Sequence, residues 1–148
     1  SPPDGVSVGL KGDDLFTWEV MMIGPAGTPF EEGFFKAELR FPEDFPNNPP
    51  KMVFTSEMWH PNIYPTGEVC ISILHPPGTD QYNEMETAEE RWRPILGVEQ
   101  ILVSVMSLLA DPNLDSPANI DAGVQAREDP KAFRRRVRGT VAKSQEEC

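Results

Sequence analysis

The sequence predicts an α+β fold, a meander of strands followed by helices, on three observations. Short aromatic- and apolar-rich segments, one of them with a two-residue apolar period, occupy the first half of the chain. Three- and four-residue apolar spacings fill the second half. Glycine- and proline-containing turns separate the strands at short intervals, as antiparallel neighbours require. At 148 residues the chain has room for one compact core and not for two, so residues 1–148 are expected to form a single domain.

Taken in order, Leu15–Gly24 is rich in aromatic and apolar residues and stops at Gly24-Pro25, the mark of a strand entering a turn. Gly33–Phe41 alternates apolar Phe35, Ala37, Leu39 and Phe41 with Lys36, Glu38 and Arg40, a half-buried strand. Prolines crowd residues 42–50 into a stiff surface loop, a shape that loses little entropy on meeting a partner. Lys51–Ser56 reads as the next strand. Val98, Ile101, Leu102, Val105, Leu108 and Leu109 form the apolar face of a helix packed on the sheet. Ser116 and Pro117 read as an N-cap and first-turn proline opening a short helix through Ala118–Ala126. Phe133, Val137 and Val141 give a last helix one apolar stripe, with Arg134, Arg135, Arg136 and Arg138 as solvated charge on its other faces. Between the halves, His75–Glu90 carries Asp80, Glu84, Glu86, Glu89 and Glu90 without a Lys or Arg and reads as a long, mobile surface loop, a length that is often functional.

A net charge of −11 argues against a nucleic-acid binder and permits a basic protein partner. No apolar run approaches the roughly 20 residues of a membrane span, and no signal peptide is visible. The two cysteines, Cys70 and Cys148, are too few for a disulfide framework, which points to a reducing compartment. Two histidines and one cysteine within structured sequence fall short of the four ligands zinc takes, so no metal or cofactor is expected. The stretch HPNIYPTGEVC, residues 60–70, holds the candidate chemistry. On composition alone Cys70 is either a nucleophile or a buried small residue, His60 a base or a structural histidine, and Asn62 a site amide or a turn residue.

HPNIYPTGEVCISILH resembles the active-site segment of the ubiquitin-conjugating enzymes, in the His60-Pro61-Asn62 triplet, the eight-residue step to Cys70 and the Ile71 after it. PEDFPNNPPKMVFTSEMWHPN is similar to that family's proline-rich loop and following strand, ERWRPILGVEQILVSVMSLLADPN to its tryptophan loop and central helix, and SPANIDA to the border of its cleft. The acidic loop resembles the insertion of the G-type branch, associated with endoplasmic-reticulum-associated degradation, and of the related cell-cycle branch, and the closing KSQEE favours the G-type branch. The resemblance implies a four-stranded antiparallel meander packed against helices. It implies an acyltransferase in which Cys70 takes ubiquitin from the activating enzyme as a thioester and passes it to a lysine, building degradation-type chains with a RING-type ligase on protein substrates. A non-catalytic ubiquitin-binding scaffold and conjugation of a ubiquitin-like modifier are the alternatives. Asn62 is expected to donate to the oxyanion or to hold the loop that shapes the site, with His60 holding Asn62 in place. Phe45, Pro46 and Asn47 in the proline loop, with Ile95 in the second loop, are the expected ligase contacts. A cytoplasmic location is implied, with the nucleus or the endoplasmic-reticulum surface reached through a partner rather than by membrane insertion.

Departures from the family pattern carry their own expectations. Ser1–Gly5 matches the loop after the family's first helix, so this chain is expected to lack that helix, which helps to bind the activating enzyme. Many members have an aspartate where Ser116 stands; a serine is no carboxylate base, so the acids of the 80–90 loop are the expected substitute. Asn47 follows Phe45-Pro46 where a large apolar residue is usual, and Thr79-Asp80 replaces a pair of acids.

Overall fold

The computed structural model describes residues 3–78 and 86–147. Four antiparallel strands, β1 (Val6–Lys11), β2 (Asp14–Ile23), β3 (Phe34–Arg40) and β4 (Lys51–Phe54), pair in the order β1-β2-β3-β4. Among the described residues three helices follow, α1 (Val98–Ala110), α2 (Ile120–Glu128) and α3 (Pro130–Glu146), after a 3₁₀ turn at Ser72–Leu74. This is the α+β meander expected, with β1 added to the three strands legible in the residues.

The alternation in β3 carries the packing. Phe35, Ala37 and Leu39 are buried and pair across to Met22, Val20 and Trp18 of β2, so one face of the sheet is continuous with the core. That core takes in Ile101, Leu102, Val105 and Leu109 of α1 and Phe133, Val137 and Val141 of α3. Each such side chain contributes about 1.5–3 kcal/mol of burial. The α3 stripe therefore matches its spacing, but its arginines are not all solvated charge. Arg136 lies 3.8 Å over the ring of Trp59, and Arg138 Nη1 donates to the carbonyls of Pro29 and Glu31.

Two further expectations need correction. The short helix begins at Ile120, not after Ser116. Asn119 is its cap: the side-chain oxygen accepts from Ala122 N at 3.0 Å, and the Asn119 N–H donates to Pro61 O at 3.0 Å. Ser116 has φ +53° and lies outside the helix. Pro117 instead folds back onto α2, where a Cβ added at Gly123 would come within 2.9 Å of the proline ring. A tertiary bond to Pro61 outweighs the local Ser-Pro signal. The 75–90 segment is also not uniformly a free acidic loop, because Glu86 is buried and paired. Asp80 and Glu84 lie outside the described residues.

The reassigned cap is directly testable. Asn119→Ala should cost about 1 kcal/mol in urea denaturation, whereas Ser116→Ala should leave stability within a few tenths of wild type.

Candidate active site

The site is built on His60. Its ring is fully buried, and Nε2 lies 2.8 Å from the carbonyl of Leu108 in the last turn of α1. A carbonyl only accepts, so Nε2 carries the proton and Nδ1 keeps a lone pair. That lone pair accepts the Asn62 N–H at 2.9 Å. Burial pushes the imidazole pKa down to about 4 against the weaker upward pull of the Leu108 carbonyl. His60 is therefore neutral, and neither nitrogen is free to serve a thiol.

From Asn62 the chain makes a tight hairpin. Cys70 N donates to Asn62 O at 2.8 Å and Tyr64 N to Glu68 O at 2.9 Å, with Ile63 paired to Val69 between them. Strand alternation sends Ile63 and Val69 into the core and puts Asn62, Tyr64 and Cys70 on the opposite face. Gly67 closes the turn at φ +100°, and an added Cβ would sit 2.1 Å from Phe54 O. Backbone bonds from Phe54 N to Gly67 O and from Val69 N to Met52 O lock the hairpin to β4.

Cys70 is half-buried on the rim of a cleft of about 300 Å³. Ser72, His75, Glu86, Glu90, Asp115 and Ser116 line it. Asn62, almost fully buried, lines it as well. The Asn62 amide donates through Nδ2 to Asn113 O at 2.7 Å and accepts from Asn113 N through Oδ1 at 2.8 Å, and Asn113 Oδ1 in turn accepts Asp115 N at 2.9 Å. A carboxamide has two N–H bonds, so one remains after this pairing. The neighbouring Tyr64 phenol is raised above its ordinary range, first by charge on the Cys70 sulfur and then by a hydrogen bond to it.

Glu86 differs from the free acid expected. Its carboxylate accepts from Ser72 Oγ at 2.7 Å and from His75 Nδ1 at 2.8 Å, and Arg91 Nε lies 3.4 Å away. Burial works to raise its pKa, but the hydrogen bonds from His75 and Ser72 and the charges of His75 and Arg91 outweigh it, and the net shift is downward. Glu90 accepts from the backbone and hydroxyl of Thr87 and still borders the cleft. Asp80 cannot be placed, being outside the described residues.

The expected ligase contacts lie apart from the cleft. Trp92 is fully buried and joins their two loops: its Nε1 donates to Pro46 O at 2.8 Å, and its ring meets Phe45 at 5.9 Å. The aromatic series continues through Phe41 to Trp18. Pro46 and Asn47 are exposed, and Ile95 is 84% exposed. Sequence reasoning missed Tyr64, Asn113 and Asp115. Only Tyr64 had a signal, its two-residue step from Asn62; Asn113 meets Asn62 across 51 residues of chain.

Comparison with known proteins agrees with this architecture. The family model described as ubiquitin-conjugating enzyme matches residues 1–141. The chain is 58% identical over 145 residues to ubiquitin-conjugating enzyme E2 15 of Schizosaccharomyces pombe, covering 97% of this chain and 86% of the relative. It is 55% identical over 147 residues to the probable ubiquitin-conjugating enzyme E2 7 of Caenorhabditis elegans, covering 99% and 89%. The chain belongs to the ubiquitin-conjugating enzymes. Within them it falls in the G-type branch, at 50% identity to human ubiquitin-conjugating enzyme E2 G2 over 97% of this chain and 87% of that one.

The buried histidine sets a pH dependence. Unfolded, His60 takes up a proton near pH 6.5; folded, it does so only near pH 4. Between those values the unfolded state binds more protons, so stability falls as the pH drops. The stability advantage of wild type over His60→Gln should narrow by about 3 kcal/mol between pH 7 and pH 4 in urea denaturation.

Proposed function

We propose that Cys70 carries the ubiquitin thioester and delivers it to lysine. The observation that carries this reading is the placement of Cys70 on the cleft face of the locked hairpin, opposite Asn62 and half-exposed. In charging, the Cys70 sulfur forms a bond to the ubiquitin C-terminal carbonyl carbon as the carbonyl's bond to the activating enzyme's sulfur breaks. In transfer, a lysine nitrogen bonds to that carbon, the Cys70 thiolate leaves, and the amine proton passes to a base or to water. A thiolate serves well both as nucleophile and as leaving group.

Asn62 has two tasks open to its one amide. The pairing with Asn113 holds the 111–119 segment as the cleft wall, and the remaining N–H is available to a tetrahedral oxyanion, where such a donor is worth about 10²–10³ in rate. His60 is the positioning residue behind it. The attacking lysine, with an ordinary pKa of about 10.4, must lose its proton in the cleft. Ser116 cannot take it. Glu86 is already engaged by Ser72, His75 and Arg91, which among the described residues leaves Glu90 and Asp115 as the cleft carboxylates that draw and deprotonate the amine. Phe45, Pro46, Asn47 and Ile95 form the ligase-facing surface. The ligase is of the RING type and the product is degradation-type chains, readings that rest on the branch resemblance. Among the described residues no helix is long and apolar enough to cross a membrane, and any membrane association comes through a partner.

Incubation with ubiquitin, activating enzyme and ATP should give a reductant-sensitive ubiquitin adduct, replaced in Cys70→Ser by a reductant-stable ester. Non-covalent ubiquitin binding without any adduct, in this chain and in a version extended by the family's first helix, would instead favour a scaffold. In lysine discharge from the preformed thioester, Glu90→Gln with Asp115→Asn should slow transfer by about tenfold or more and leave charging intact, a loss in the range of general-base catalysis; an unchanged discharge rate would remove these two residues from the mechanism.

A further inference from the structure

Six of the 13 lysines and arginines lie on α3, and a seventh, Arg127, ends α2. No acid interrupts α3 before Glu146, in a chain whose net charge is −11. The helix turns Phe133, Val137 and Val141 inward. Lys131, Arg134, Arg135 and Arg138 consequently recur at three- and four-residue steps on the exposed side, a stripe roughly 10 Å long at 1.5 Å per residue.

The structure accounts for only part of this charge. Arg136 is stacked on Trp59, Arg138 bonds two carbonyls of the 29–31 turn, and Lys143 reaches Glu57 at 3.7 Å. Lys131, Arg134 and Arg135 make no ion pair or side-chain hydrogen bond among the described residues. Like charges at these spacings repel by a few tenths of a kcal/mol per pair and contribute nothing to folding. Arg136, with its guanidinium carbon 3.8 Å from the centre of the Trp59 ring, is held by a cation–π contact beside the stripe.

We propose that this stripe docks an acidic polypeptide segment, a run of Asp and Glu side chains on a partner protein. Guanidinium groups pair with carboxylates through two parallel N–H···O bonds, which suits a row of arginines to such a segment. A narrow peptide can follow the stripe alone. A duplex or a bilayer headgroup plane is broader and would bring its own negative charge within a Debye length, about 8–10 Å, of the acidic remainder of the molecule. The apolar face of α3 is spent in the core, so the helix has none to insert into a membrane.

The probe is a fluorescein-labelled peptide of alternating glutamate and serine, titrated with the full chain at low salt and followed by anisotropy. Binding is expected, weakening with added salt, and reduced by about tenfold or more in the triple variant Lys131→Glu, Arg134→Glu, Arg135→Glu. If that variant melts early, the neutral set Lys131→Gln, Arg134→Gln, Arg135→Gln should show the same loss in smaller degree. Ubiquitin charging should be unchanged in both sets, which separates this surface from the cleft chemistry. The proposal is overturned if the peptide does not bind, if the variants bind it like wild type, or if duplex DNA or phosphatidylserine vesicles bind more tightly than the peptide. It is equally overturned if sedimentation shows the stripe occupied by a second copy of the chain.

Discussion

A neutral imidazole in the core bears the weight of this site. The last carbonyls of a helix have no partner within it, and His60 supplies one to Leu108 while its other nitrogen fixes the first backbone amide of the hairpin. Helix end and hairpin start are thereby held by one rigid ring. Asn62 inherits its orientation from that ring, Asn113 from Asn62, and Asp115 from Asn113. Asn119 bonds to Pro61, so the start of α2 is referred to the same point. Four stretches of backbone that bound the cleft take their positions from a side chain that never enters it.

Legibility in the sequence followed the range of the forces involved. Regular burial is local and periodic, so β3, α1 and the stripe of α3 could be read directly. β1 was passed over although Val6, Val8 and Leu10 alternate with Ser7, Gly9 and Lys11; the run is only six residues long, and at this edge of the sheet Val6 alone is buried. Ser116-Pro117 carries a good local signal for a helix start and lost to a hydrogen bond between Asn119 and Pro61, some sixty residues apart in sequence. At the site, His60, Asn62 and Cys70 stand within one short motif and were legible as a group. Asn113 was not, since it is held through backbone atoms that every residue type possesses.

Glu86 shows the same divide in electrostatic form. Counted by composition, it is one more acid in an acidic loop. In place, it is 8% exposed, and the cost of burying its charge is offset by His75, Ser72 and Arg91. Its charge is consumed in tying the 72–76 segment to 86–91, a tie reinforced by bonds from Arg91 Nε to Pro76 O and from Trp92 N to His75 O. A carboxylate so engaged organises the ground on which the cleft stands, while the less constrained acids keep their field for whatever enters.

The eight-residue step from Asn62 to Cys70 has a meaning that the hairpin makes plain. Paired residues of antiparallel strands share a face, and a slip of one position exchanges faces throughout. Were Asn62 to pair with Val69, a valine would look out over the cleft and the thiol would be sealed among hydrocarbon. Against that slip stands a glycine with no space for even a methyl group beside the Phe54 carbonyl. Which side chain faces the cleft thus depends on a lock several residues away, at a position that does not line the cleft.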